Sequence, residues 1–284
     1  MAAPRALIAG CGDVGTGLGL LLAADGYEVF GLRRRPEHLP APLRGLAADV
    51  TAPDTLRVIP DDIELLAYTA AADRSDDDAY RRAYVDGVGA VLAALTARGA
   101  PLRRVLFTSS TAVYGQTDGG WVDERSPTDP PGFSGRRVLE GEALVLGCGV
   151  PAVVLRLAGI YGPGRTRLID RVRGGDAVVA DGPPRWTNRI HRDDCAGAAH
   201  HLLARPDAAG LWVGVDHEPA DEGTVLDWLA ARLGVPPPRR TPTPAPARSR
   251  AGTNKRCANR KLLASGYRFR YPTFREGYAA LLAT

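Results

Sequence analysis

The chain has 284 residues, 45% of them apolar and 24% charged, with a net charge of +4. That length suits a large α/β unit with a small appended lobe, and the balance excludes a disordered or membrane-embedded chain. The basic excess is almost all arginine and lacks interleaved aromatics, so a nucleic-acid surface is not expected.

In chain order, Arg5 to Ala9 reads as a strand, Gly10 to Gly15 as a glycine turn, Thr16 to Asp25 as a helix and Tyr27 to Leu32 as a second strand. Leu18 to Ala24, the longest apolar stretch near the start, is far below the about 20 residues that span a bilayer. No basic region with a cleavage site opens the chain, so no membrane association and a cytoplasmic location are expected. Further strands are predicted at Glu64 to Thr69, Arg103 to Ser109, Pro151 to Ala158 and Leu211 to Val215, with helices at Asp78 to Arg98 and Val138 to Leu146 between them. This alternation predicts a doubly wound parallel Rossmann sheet, with residues 1–160 as the dinucleotide-binding domain and 161–284 as a small C-terminal substrate-binding lobe. Helix 193–203 and strand 211–215 are expected to return to the sheet, and the proline-rich stretch Pro236 to Arg250 reads as an extended connection after a helix ending near Leu233. Cys11, Cys148, Cys195 and Cys257 form no CxxC pair, so neither a metal site nor a disulfide framework is expected.

The turn Gly10-Cys11-Gly12-Asp13-Val14-Gly15 has GxGxxG spacing in the strand–turn–helix context a dinucleotide site needs. Gly10 serves the tight turn, Gly12 admits the pyrophosphate, and Gly15 lets the helix pack on the sheet, while the helix start attracts phosphate through free amides. An acid that would hold ribose hydroxyls is expected about 20 residues past the glycines. Arg33, Arg34 and Arg35 stand there instead, a pattern that favours the 2′-phosphate of NADP over NAD. Asp49 and Val50 are expected against the adenine, and Thr69, Ala70 and Ala71 after the next strand complete the cofactor set.

At Thr108-Ser109-Ser110-Thr111-Ala112-Val113-Tyr114-Gly115 the chain resembles the extended short-chain dehydrogenase/reductase, or NAD-dependent epimerase/dehydratase, superfamily, with a glycine pattern like its atypical branch. Tyr68 to Ala71, Leu155 to Arg165, Asn188 to Asp194 and Tyr271-Pro272 extend the likeness over nearly the whole chain. The resemblance implies that Ser110 is the serine that hydrogen-bonds substrate. It also implies a later tyrosine as acid/base and a lysine four residues beyond it, but those places fall on Ser134 and Val138. The chain's two lysines, Lys255 and Lys261, stand four residues after no tyrosine, so the couple is absent. Tyr114 is the candidate replacement acid, with Arg136 or Arg137 as substitutes for the missing charge. Thr111, Trp121, Tyr161, Arg189 and His191 are the candidate substrate-binding residues, with Trp186 and Asn188 on the loop opposite Trp121. Two functions remain open: an NADP-dependent oxidoreductase or epimerase acting on a small polar metabolite, with a homodimer admitted as its assembly, and a non-catalytic NADP-binding sensor or scaffold.

Overall fold

In a computed structural model that describes residues 3–242 and 253–283, seven strands form one parallel sheet. They are β1 (Arg5–Ala9), β2 (Glu28–Arg33), β3 (Arg44–Ala47), β4 (Leu65–Tyr68), β5 (Arg104–Ser110), β6 (Ala152–Leu157) and β7 (Gly210–Gly214). Their spatial order is β3-β2-β1-β4-β5-β6-β7, so the chain reverses direction across the sheet between β1 and β4. Strands covered on both faces must be apolar on both, and β4 and β6 are buried along their whole length.

Leu7, Phe107, Val154 and Val91 belong to the core on one face; Ile8, Leu106, Leu155 and Leu202 belong to the core on the other. Helices α1 (Asp13–Ala24) and α4 (Arg192–Leu203) pack together on the second face. The first face carries α2 (Gly87–Ala97) and α3 (Phe133–Leu146). A third apolar cluster, including Tyr161, Ile169, Leu226, Leu229 and Phe274, joins Arg167–Arg173, α5 (Glu222–Leu233) and α6 (Phe274–Leu282) beyond the carboxyl end of β6.

Several boundaries differ from the sequence reading. Helix α1 starts at Asp13 rather than Thr16, because Gly12 already takes the extended N-cap conformation. Helix α3 starts a turn before Val138, at Phe133, where Gly135 fits its backbone against Pro130 and Ala112: a Cβ there would lie 2.3 Å from Pro130 Cβ. Edge strand β3 escaped the sequence reading because it is largely exposed and carries no apolar alternation. Within the predicted connection Pro236 to Arg250, Arg239–Thr241 is a strand paired in parallel with Val178–Ala180, and residues 243–250 lie outside the described residues. Among the described residues no helix is long and apolar enough to cross a membrane.

Candidate active site

The carboxyl ends of the strands open on a cleft of about 1000 Å³. Gly10, Gly12, Asp13, Val14 and Gly15 form its floor where β1 turns into α1. Gly10 has φ +83°, and a Cβ on it would lie 2.3 Å from the Ala70 backbone. A Cβ on Gly15 would lie 2.7 Å from Thr69 Oγ1, so this glycine is needed for packing. Gly12 differs: its nearest neighbour would be Gly10 O at 3.9 Å, which leaves its face open for a ligand. No side chain caps α1 at Gly12, so the first-turn amides remain for an anion. These features fit the pyrophosphate of a dinucleotide.

On the β2 side of this turn, Arg33, Arg34 and Arg35 line the cleft with Asp49 and Val50. Arg33 Nη1 donates to Cys11 O at 3.2 Å, which holds its guanidinium beside the glycine turn. Arg34 Nη1 pairs with Asp73 at 3.0 Å, both side chains exposed. Asp49 Oδ1 accepts from Thr51 N at 2.9 Å and Thr51 Oγ1 at 2.8 Å, so this carboxylate braces its own loop. Thr69, Ala70 and Ala71 line the wall after β4, and Thr69 Oγ1 donates to Gly10 O at 2.9 Å.

On the β5 side, Ser110 reaches the cleft and its Oγ accepts from Ala112 N at 3.1 Å. Behind it lies a buried ionic network. Arg156 on β6 clamps Glu142 of α3 through Nε (2.9 Å) and Nη2 (2.7 Å), and Ser109 Oγ donates to the same carboxylate. Arg156 Nη1 also donates to Tyr114 Oη at 2.9 Å, and that hydroxyl donates to Asp123 O at 2.7 Å. The bidentate pair offsets the burial of both charges because each is hydrogen-bonded.

This network corrects the reading of Tyr114 as a replacement acid. Its side chain is fully buried away from the cleft, its hydroxyl is spent on Arg156 and Asp123, and burial pushes its pKa up to about 12. Arg136 is exposed, and Arg137 is committed to Asp77 (2.7 Å) and Glu140 (3.0 Å), so neither charge enters the cleft. Ser134 is half-buried and Val138 buried where the resemblance expects tyrosine and lysine. The lysines are spent elsewhere: Lys255 Nζ donates to Tyr114 O at 2.8 Å and Lys261 Nζ to Leu211 O at 2.6 Å.

The candidate substrate residues also fall outside the cleft wall. Thr111 is buried in the turn after β5, and Tyr161 is buried with its hydroxyl directed at Thr273 O (3.5 Å). Trp121 is 52% exposed and shares the Arg256 guanidinium with Trp186, at 5.1 and 4.9 Å from the ring centroids. His191 caps α4, its Nδ1 accepting from Asp193 N at 3.2 Å, and burial lowers its pKa, which suits the neutral ring. Arg189 is buried against Phe274 and donates to Thr187 Oγ1 at 2.5 Å. Asn188 bridges backbone, donating to Lys255 O at 2.9 Å and accepting from Cys257 N at 2.7 Å.

Arg82, Tyr84 and Arg165 are among the cleft-wall residues that the sequence did not single out. Arg82 and Tyr84 belong to a π-turn, Arg82–Asp86, between Asp77–Arg81 and α2; a helical period cannot reveal such a turn. Arg165 follows the Gly162 and Gly164 bends and reaches Asp13 at 3.1 Å. The neighbouring glycines were the available signal for it. Among the described residues no group of three or more His, Cys, Asp or Glu is placed to hold a metal.

The NAD dependent epimerase/dehydratase family matches residues 6–211. Protein YeeZ of Escherichia coli (strain K12) is 31% identical over 248 residues, covering 83% of this chain and 86% of its own. The 3-diazoavenalumate denitrifying reductase of a Streptomyces sp is 28% identical over 300 aligned positions, covering 96% and 98%. A solved structure from Methylobacillus flagellatus, named for the NAD-dependent epimerase/dehydratase group, is 40% identical with a TM-score of 0.80 and covers 100% of this chain and 98% of its own. With its glycine turn, parallel sheet and family match over most of its length, the chain belongs to the NAD-dependent epimerase/dehydratase family.

Proposed function

We propose that the chain is an NADP-dependent oxidoreductase or epimerase that acts on a small polar metabolite without the usual tyrosine–lysine couple. The observation that carries this reading is the run Arg33, Arg34 and Arg35 on the cleft wall beside an open glycine turn. Arg34's pair with Asp73 is exposed on both sides and screened by water, so it yields readily to a phosphate. A guanidinium fork matches a 2′-phosphate in charge and geometry, whereas the ribose hydroxyls of NAD call for a carboxylate.

When bound, the nicotinamide ring supplies or accepts hydride. The chain's own part is to hold the phosphates at the Gly12 turn, orient the adenosine end with arginines, and offer the Ser110 hydroxyl to the reacting group. With Ser134 and Val138 in place of the couple, the reading favours acceptors that need little proton assistance, such as imines or activated carbonyls. The name of the Streptomyces relative, a reductase, supports reduction as the chemistry to test first.

The test is fluorescence titration with NADPH and NADH, followed by a carbonyl and imine panel read by NADPH consumption. NADPH binding at least about tenfold tighter than NADH, with turnover, is the expected result; tenfold corresponds to about 1.4 kcal/mol. Binding without turnover transfers the assignment to a cofactor-binding sensor, the reading favoured by the missing couple. Binding of neither cofactor overturns both readings.

A further inference from the structure

Most hydroxyls on the cleft wall have already spent their protons. Thr51 donates to Asp49, Thr69 to Gly10 O, Thr108 to Tyr68 O and Ser109 to Glu142. Ser110 Oγ only accepts, from Ala112 N, and so keeps its proton for a ligand. Tyr84 is the only phenol among the described residues of the wall, and its hydroxyl makes no hydrogen bond with any described residue. Both hydroxyls border the cleft, each with a donor that no described residue takes.

The placement of Tyr84 is built into the fold. It sits in the π-turn Arg82–Asp86, where the preceding carbonyl of Ala83 accepts from Tyr68 Oη. Its ring packs edge-on to Phe107 of β5 at 6.4 Å and tilted against Tyr80 at 5.4 Å. Gly141 lets α3 close on it: a Cβ there would lie 2.3 Å from Tyr84 O. Tyr84 thus stands on the β5 side of the glycine turn, against the helix that carries Ser134 and Val138, and across the turn from Arg33 to Arg35 on the β2 side. A dinucleotide spans two such halves of a Rossmann sheet, one for each mononucleotide.

We infer that Tyr84, presented from the π-turn, donates its hydroxyl hydrogen bond together with Ser110 to the nicotinamide half of the bound dinucleotide, a place where α3 puts no side chain on the cleft wall. The inference rests on reading the cleft as an NADP site. Burial, followed by the neighbouring Tyr80, pushes the phenol's pKa up, so Tyr84 stays protonated and acts as a donor rather than a base.

Calorimetric titration of wild type, Tyr84→Phe and Tyr80→Phe with NADPH and with adenosine 2′,5′-bisphosphate tests this. The bisphosphate keeps the adenosine end and lacks the nicotinamide. Tyr84→Phe is expected to weaken NADPH by about tenfold and leave the bisphosphate unchanged, while Tyr80→Phe changes neither. Equal affinities of Tyr84→Phe and wild type for NADPH, or equal loss for both ligands, overturns the inference. A tyrosine difference band in the near-ultraviolet on adding NADP to wild type, absent with the bisphosphate, reads the same contact without a substitution, and its absence also counts against it. If wild type binds neither ligand, the cofactor reading itself fails, an outcome distinct from any behaviour of the variant.

Discussion

Individual residues in this chain earn their positions by different physics. Gly12 and Gly15 differ by three positions, yet only Gly15 is packed against neighbours. Gly12→Val is therefore expected to keep the thermal midpoint near wild type while weakening NADPH more than about tenfold, because the side chain grows into the cleft. Gly15→Val meets Thr69 Oγ1 and Ile8 Cγ2 and should cost about 1–3 kcal/mol of stability. Thermal unfolding and fluorescence titration of the two variants separate these effects. Asp216 shows a cost of burial. It is 1% exposed, its Oδ2 has no partner among the described residues, and burial, against the pull of Arg189, pushes its pKa up to about 7. The unfolded carboxyl ionises near pH 4 while the folded one keeps its proton, so folding loses stability as pH rises from about 4 to about 7. Asp216→Asn, which cannot ionise, should raise the midpoint at pH 8 and bring little gain near pH 4. A gain of equal size at both pH values would contradict this account.

At the scale of elements, the glycine turn was legible because it combines residue identity with a strand before it and a helix after it. The absence of tyrosine and lysine from α3 was legible for the same reason, being a matter of identity at a spacing. What fixes α3 in place was not legible, because Glu142 finds Arg156 on β6, a strand beyond the helix itself. The pair is buried on both sides, so Glu142→Leu leaves an uncompensated guanidinium and should cost about 3–5 kcal/mol in urea unfolding. Glu142→Leu with Arg156→Met removes both charges and should recover much of that loss. A double variant no better than the single would show that Ser109 and Tyr114, which share the network, carry most of its worth.

The whole molecule separates the two ends of the cleft. The sheet order puts the arginines at the end of β2 to one side of the glycine turn and Ser110 and Tyr84 to the other, with no shared partner among the described residues. Arg33→Ser with Arg34→Ser should weaken NADPH by about 10- to 100-fold, a loss of about 1.5–3 kcal/mol of charged hydrogen bonding, and leave NADH nearly unchanged. Combined with Tyr84→Phe, the effects should add within about 0.5 kcal/mol by titration, as for separate sites. Local order along the chain is enough to specify the sequence-legible part: strand alternation, the GxGxxG turn, the arginines that follow β2 and the missing couple all depend on a few neighbouring residues. Only the tertiary structure decided which side chains face the cleft. Arg156, 42 residues from Tyr114, claims the hydroxyl that looked catalytic. A π-turn swings Tyr84 onto the wall, and Arg165 meets Asp13 across 152 residues of chain. Facing is set by packing between distant segments, and packing of that kind leaves no period in the sequence.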